Sequence, residues 1–170
     1  MEIHFATERM FVRGLQKNDL YAFDEMQGNP QVMKYVGGKA NTLEENRLDL
    51  ENVINCYSQK SNQLWVWAII SKNTYELIGT CALVDEDENC SEIGYRFLQK
   101  HWGYGYGLEI VKGLVKYAFE KLSKSRLVAY VDVDNKASVR ILEQSPFNFQ
   151  KEFYNEKESC MDRLYVLESN

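Results

Sequence analysis

The sequence predicts an α+β fold with an antiparallel meander at its centre, all in a single domain spanning residues 1–170. Three observations lead there. The apolar spacing is helical in the first third, then becomes β-branched and aromatic from residue 64. A turn with three alternating glycines, at 103, 105 and 107, joins a strand pattern to a helix pattern. Two prolines and ten glycines in 170 residues leave no room for a linker or a low-complexity tail.

The elements follow in order. Residues 7–13 alternate in character and read as a strand. Asn18 can cap a helix starting at Asp19, with Leu20, Phe23 and Met26 on one face. Asn29-Pro30 opens a short helix that Gly37-Gly38 ends, and proline suits its first position. Thr42 with Glu45 forms a capping box for a helix running to about Ser58. Strands then cover Leu64–Ile70, Leu77–Val84 and Ser91–Leu98, joined by Asn73-Thr74 and by the acidic turn Asp85–Glu88. A helix from Leu108 to about Leu122 carries one stripe of Leu108, Val111, Val115, Ala118 and Leu122, with Glu109 and Lys112 facing away. A strand at 126–134, a short helix at 136–144 and two strands near 147–155 and 160–167 complete the chain.

Bulk properties narrow the function classes. A net charge of -5 argues against nucleic acid or an anionic membrane as the main partner. The four cysteines have no C-x-x-C spacing, and His4 and His101 supply no ligand pair, so no metal site is expected. Met1-Glu2-Ile3-His4 lacks the basic and apolar regions of a signal peptide, and no apolar run approaches the ~20 residues of a membrane span. These features predict a cytoplasmic protein with reduced thiols, as a monomer or homodimer.

A glycine turn between strand and helix leaves backbone N–H groups free at the positive end of a helix dipole, which suits a phosphate. A Rossmann fingerprint fails here, because its third glycine would fall at Leu108. No Walker lysine pattern is present either.

Trp102-Gly103-Tyr104-Gly105-Tyr106-Gly107 resembles the pyrophosphate loop, Gln/Arg-x-x-Gly-x-Gly/Ala, of the GNAT superfamily of acetyltransferases. Tryptophan in the first position is similar to the branch of ribosomal-protein N-terminal acetyltransferases. The likeness extends to Thr7–Arg13, Asn29–Tyr35, Ile78-Gly79-Thr80, Glu92–Tyr95 and Asn135–Glu143. It implies a mixed, mostly antiparallel twisted sheet flanked by helices, splayed between the family's fourth and fifth strands. It implies acetyl-CoA as co-substrate and a primary amine as acceptor: a protein N-terminus, a polyamine or an amino sugar. By the same resemblance, Phe97 and Leu98 offer backbone to the pantetheine arm, residues 102–108 hold the pyrophosphate, and Asn135 bonds the arm. Glu92 stands where glutamate-dependent members carry their general base. The family's acid tyrosine is replaced by Leu142, leaving Ser138 to donate to the sulfur. That loss also fits a catalytically weak acyl-CoA sensor or interaction module. Ser145-Pro146-Phe147 departs from the family's Leu-Gly-Phe, and proline fixes φ near -65° there.

Overall fold

The computed structural model describes residues 2–169. Eight strands form one sheet: β1 (Ile3–Ala6), β2 (Met10–Gly14), β3 (Leu64–Ser71), β4 (Leu77–Asp85), β5 (Cys90–Phe97), β6 (Arg126–Asp132), β7 (Asn148–Asn155) and β8 (Cys160–Glu168). Their order across the sheet is β1-β2-β3-β4-β5-β6-β8-β7. Among the described residues only the β5–β6 pairing is parallel. It is the one that needs a long crossover, which α4 (Tyr106–Glu120) supplies. The fold is therefore the expected α+β arrangement with a mixed, mostly antiparallel sheet.

Period-2 alternation splits the apolar residues between two faces. Met10, Val12, Trp67 and Ile69 pack with Ile110, Val111 and Leu114 of α4, and α5 (Lys136–Glu143) lies on this face. Phe11, Ala68 and Ile70 point the other way. They meet Phe23 and Met26 of α1 (Leu20–Gln27), Val32 of α2 (Pro30–Met33), and Leu50 and Val53 of α3 (Leu43–Cys56).

Local signals account for most element starts. The Thr42 hydroxyl accepts from the Glu45 N–H (3.3 Å) and the Glu45 carboxylate accepts from the Thr42 N–H (2.7 Å), as the capping box requires. Asn29 caps the proline-led α2 by accepting from the Gln31 N–H at 2.9 Å.

Several expectations are corrected. The first strand pattern is a hairpin: β1 precedes a tight turn in which the Thr7 N–H donates to the Met10 carbonyl (2.9 Å), so residues 7–9 are turn. Asn18 lies inside a 3₁₀ turn over Lys17–Asp19, and Asp19 does the capping by accepting from the Gln16 N–H at 2.7 Å. Helix α4 starts at Tyr106 and ends at Glu120, leaving Leu122 outside and exposed. Pro146 is accommodated in a turn where the Ser145 hydroxyl donates to the Leu142 carbonyl (2.7 Å) and accepts from the Phe147 N–H (3.2 Å).

Asp19 also anchors Arg13 through two hydrogen bonds, of 2.7 and 2.8 Å, in a buried fork. Removing one partner strands a buried charge, so Arg13→Ala is expected to cost about 3–5 kcal/mol, measured by urea unfolding.

Candidate active site

The site begins where two strands part. β5 and β6 are paired only through Cys90, Ser91 and Glu92 against Arg126, Leu127 and Val128. Beyond that β5 continues to Phe97 along β4, and β6 continues to Asp132 along β8, so each stays bonded on its outer side only. The Leu98 N–H donates to the Ile78 carbonyl at 3.0 Å. In an antiparallel ladder, alternate residues then turn their N–H and C=O toward the gap, namely Ile93, Tyr95 and Phe97. This corrects one expectation: both backbone groups of Leu98 are spent, the N–H on Ile78 and the carbonyl on the His101 N–H (2.9 Å). The Phe97 carbonyl accepts from the Trp102 indole N–H at 3.0 Å, which leaves the Phe97 N–H facing the gap.

The glycine turn sits at the end of this gap. Gly103 and Gly105 adopt φ of 81° and 79°, a left-handed backbone that favours glycine. Gly105 is the N-cap of α4, whose first intrahelical bond runs from the Glu109 N–H to the Gly105 carbonyl (3.4 Å). The N–H groups of Tyr106, Gly107 and Leu108 precede that bond and lack helical partners. Gly107 has a different task from its neighbours: a Cβ there would come within 2.5 Å of Ile141 Cδ1, so its bareness lets α5 pack against α4.

A cross-chain tie holds the turn. Glu109, expected on the solvent face, turns inward instead. Its carboxylate accepts from the Thr7 hydroxyl (2.6 Å), the Arg9 N–H (2.8 Å) and Arg9 Nε (2.6 Å). Burial pushes its carboxyl up, but the bonds from Thr7 and Arg9 together outweigh that and hold it below the ordinary range. Arg9 in turn donates from Nη1 to the Tyr104 carbonyl (2.8 Å) and lies over the Tyr106 ring at 4.5 Å. The hairpin at residues 7–9 thus clamps the loop that begins about 95 residues later.

On the α5 side, Asn135 caps its helix by accepting from the Ser138 N–H at 3.2 Å. Its carbonyl oxygen is occupied, and its NH₂ remains for a ligand. Ser138 and Leu142 line the cleft with Tyr95 of β5. The Tyr95 hydroxyl is buried without a satisfied hydrogen bond. Burial pushes it up to about 12, with a smaller opposing pull from the Ser138 hydroxyl nearby. Sequence reasoning gave Tyr95 no role, because an aromatic residue in a strand reads as core.

The cleft has a volume of about 390 Å³ and passes through the gap, so it is lined from both faces of the sheet. Glu92 is on the face of α1 and α3. It forms no ion pair among the described residues. Burial raises its carboxyl above the ordinary range, helped by Glu86 and Asp162 and opposed by Lys157. The acidic turn is occupied internally: Asp85 pairs with Lys124 (2.9 Å), Asp87 accepts from two backbone N–H groups, and Glu86 accepts from the Tyr130 hydroxyl. Trp65 and Trp67 face away from this cleft and line a separate groove of about 330 Å³ beside Tyr57 and His4. The cleft wall on β3 comes from Leu64 and Val66.

The splayed β5–β6 junction and the glycine turn that follows β5 thus form a slot next to free backbone donors at a helix N-terminus. The sequence model described as the acetyltransferase (GNAT) domain matches residues 9–148, and the chain belongs to this family. An uncharacterized N-acetyltransferase, p20 of Bacillus licheniformis, is 33% identical over 148 residues, covering 86% of this chain and 82% of its own. The structure of RimL, a ribosomal L7/L12 α-N-protein acetyltransferase in complex with coenzyme A, superposes with a TM-score of 0.83 at 16% identity over 98% of both chains. A spermidine N-acetyltransferase from Vibrio cholerae, in complex with CoA and spermine, gives 0.79 at 18% identity, covering 94% of this chain and 95% of its own. The same fold thus serves proteins named for quite different amines.

A Cβ at a left-handed position costs about 1–2 kcal/mol. Gly105→Ala is therefore expected to destabilise the protein by that amount and to shrink the thermal shift produced by coenzyme A, read by differential scanning fluorimetry.

Proposed function

We propose that the chain, as one domain, moves the acetyl group of acetyl-CoA to a primary amine by direct attack in a ternary complex. The observation that carries this reading is the gap between β5 and β6, open to both faces and ending at free helix N–H groups. The pyrophosphate rests on the N–H groups of Tyr106, Gly107 and Leu108, with Trp102, Gly103, Tyr104 and Gly105 shaping the approach. The pantetheine arm lies along the gap, bonding the backbone of Phe97 and the Asn135 amide. The thioester carbonyl then meets a gap-facing N–H of β5, which acts as an oxyanion donor.

The acceptor enters from the α1–α3 face beside Glu92. A lysine-like amine is only ~0.04% neutral at pH 7, so a base adds most for such substrates. Glu92 takes the amine proton, directly or through a water, as nitrogen attacks the thioester carbon. Collapse of the tetrahedral intermediate breaks the C–S bond and releases the thiolate of coenzyme A. The Ser138 hydroxyl, with Tyr95 beside it, donates a hydrogen bond to that sulfur.

Glu92→Gln is expected to lower kcat/KM near neutral pH by about 10²–10⁴-fold, measured by thiol release from acetyl-CoA. An unchanged rate would remove Glu92 from the mechanism. In the parent enzyme activity falls as pH drops through the raised Glu92 value, because the base must be ionised. The stability sign is opposite. A carboxyl raised in the folded state binds its proton more tightly there, so its contribution to stability is lost as pH rises through that window. Glu92→Gln is accordingly expected to raise the midpoint of urea unfolding at neutral pH.

A further inference from the structure

The acceptor side of the cleft holds a half-buried cation that the chemistry above does not use. Arg96 shares a strand and a face with Glu92, four residues further along β5, and it lines the same cleft. One of its nitrogens is engaged: Nη1 donates to Gln27 Oε1 at 2.6 Å and touches Met33 Sδ at 3.5 Å. No carboxylate pairs with it within 4.0 Å among the described residues. Burial pulls its pKa down, and Asp49 resists this only from a distance. Its other nitrogens make no hydrogen bond among the described residues and are not shut off from solvent, so they are free to take an anion that enters the cleft, and a planar carboxylate matches their fork.

The guanidinium is also held in place. Gln27 spends its other end on Asn46 (3.2 Å) and Asp49 (2.9 Å), and Asn46 donates to Asp24 (2.8 Å). This chain of amides and carboxylates across α1 and α3 fixes where Gln27 presents its oxygen, and so where Arg96 points. Between Glu92 and Arg96 stands Gly94, where an added Cβ would meet only Ala82 Cβ at 3.7 Å. The space over Gly94 is therefore open, roughly 7 Å along the strand from each charged residue.

We propose that Arg96 docks a carboxylate carried by the acceptor, so that the amine acetylated here belongs to a free amino acid or a comparably small amino carboxylate. This rests on the acetyl-transfer reading of the same cleft. With the amine over Gly94, within reach of Glu92 directly or through a water, a carboxylate a few bonds away reaches the guanidinium. A polyamine would instead press a second ammonium against Arg96, and an amino sugar would leave it unpaired. The volume of about 390 Å³, shared with the acetyl-pantetheine arm, suits a small acceptor.

The test is thiol release from acetyl-CoA with amino acids, each beside its carboxamide and methyl ester, and with spermidine, an aminoglycoside and a short peptide as further acceptors. The free acids are expected to exceed their blocked forms by about 10–100-fold in kcat/KM, the scale of one charge-assisted contact. Arg96→Gln should bring that ratio near one, and Arg96→Lys should retain part of it. A thermal shift with acetyl-CoA shows that each variant is folded. Blocked forms, peptide or polyamine performing as well as the acids would overturn the proposal, as would a ratio that survives Arg96→Gln. Silence with every amine would instead count against acetyl transfer. The carboxylate site is then read separately, by calorimetric titration of N-acetylalanine and N-acetylglutamate into the coenzyme A complex. Binding that Arg96→Gln abolishes supports the site; no binding to the parent protein overturns it.

Discussion

The parting of β5 and β6 is the constraint on which the active region depends. A parallel pair is normally held along its whole length, yet here three residue pairs suffice. What permits this is the strength of the outer pairings. β4 holds β5 through seven paired positions, and β8 holds β6 along its full seven residues. Each inner edge can then remain unpaired, because neither strand needs its neighbour to keep its course. Unpaired backbone at a buried edge is costly unless a ligand completes it. That cost is what turns a fault in the sheet into a binding slot.

The pieces around the slot are coupled rather than independent. Gly107 lets α5 close on α4, which brings Asn135 and Ser138 to the same opening that the glycine turn serves. Glu109 reaches back to Thr7 and Arg9, and Arg9 reaches on to the Tyr104 carbonyl and the Tyr106 ring. The loop is consequently held from both sides, by the opening hairpin and by the last helix. On the opposite face, the Gln27–Asn46–Asp49 network does for Arg96 what Glu109 does for Arg9. In both places a polar side chain far off in the chain orients a guanidinium.

Much of this was legible in the sequence, for local reasons. The capping box at Thr42, the helix start at Asn29-Pro30 and the glycine turn are each decided within a few residues, so their spacing announces them. The illegible parts depend on distant contacts. Glu109 has a polar position on its helix, and only the hairpin 100 residues away draws it inward. Nothing in the strand pattern of residues 91–98 sets Tyr95 and Arg96 apart from their neighbours. Their surroundings come from α5 and from Gln27, which lies 69 residues from Arg96. The backbone state of Leu98 is illegible for a related reason, since hydrogen-bond parity depends on the register with β4 and no side-chain pattern encodes it. The β1 strand is four residues long and carries too little pattern to stand out.

The slot opens on both faces of the sheet, and the faces are chemically distinct: hydroxyls and amides beside α5, charged groups beside α1 and α3. In the acetyl transfer proposed above, donor and acceptor would occupy it together without sharing an entrance, each product leaving by the side on which it arrived. Such a passage is also a template for bisubstrate inhibitors. A conjugate joining the sulfur of coenzyme A to the acceptor nitrogen by a short tether would thread the sheet and gain the effective concentration that each half alone lacks. Because the thread runs between strands that stay apart by design of their outer partners, the protein would not have to unfold an edge to admit it.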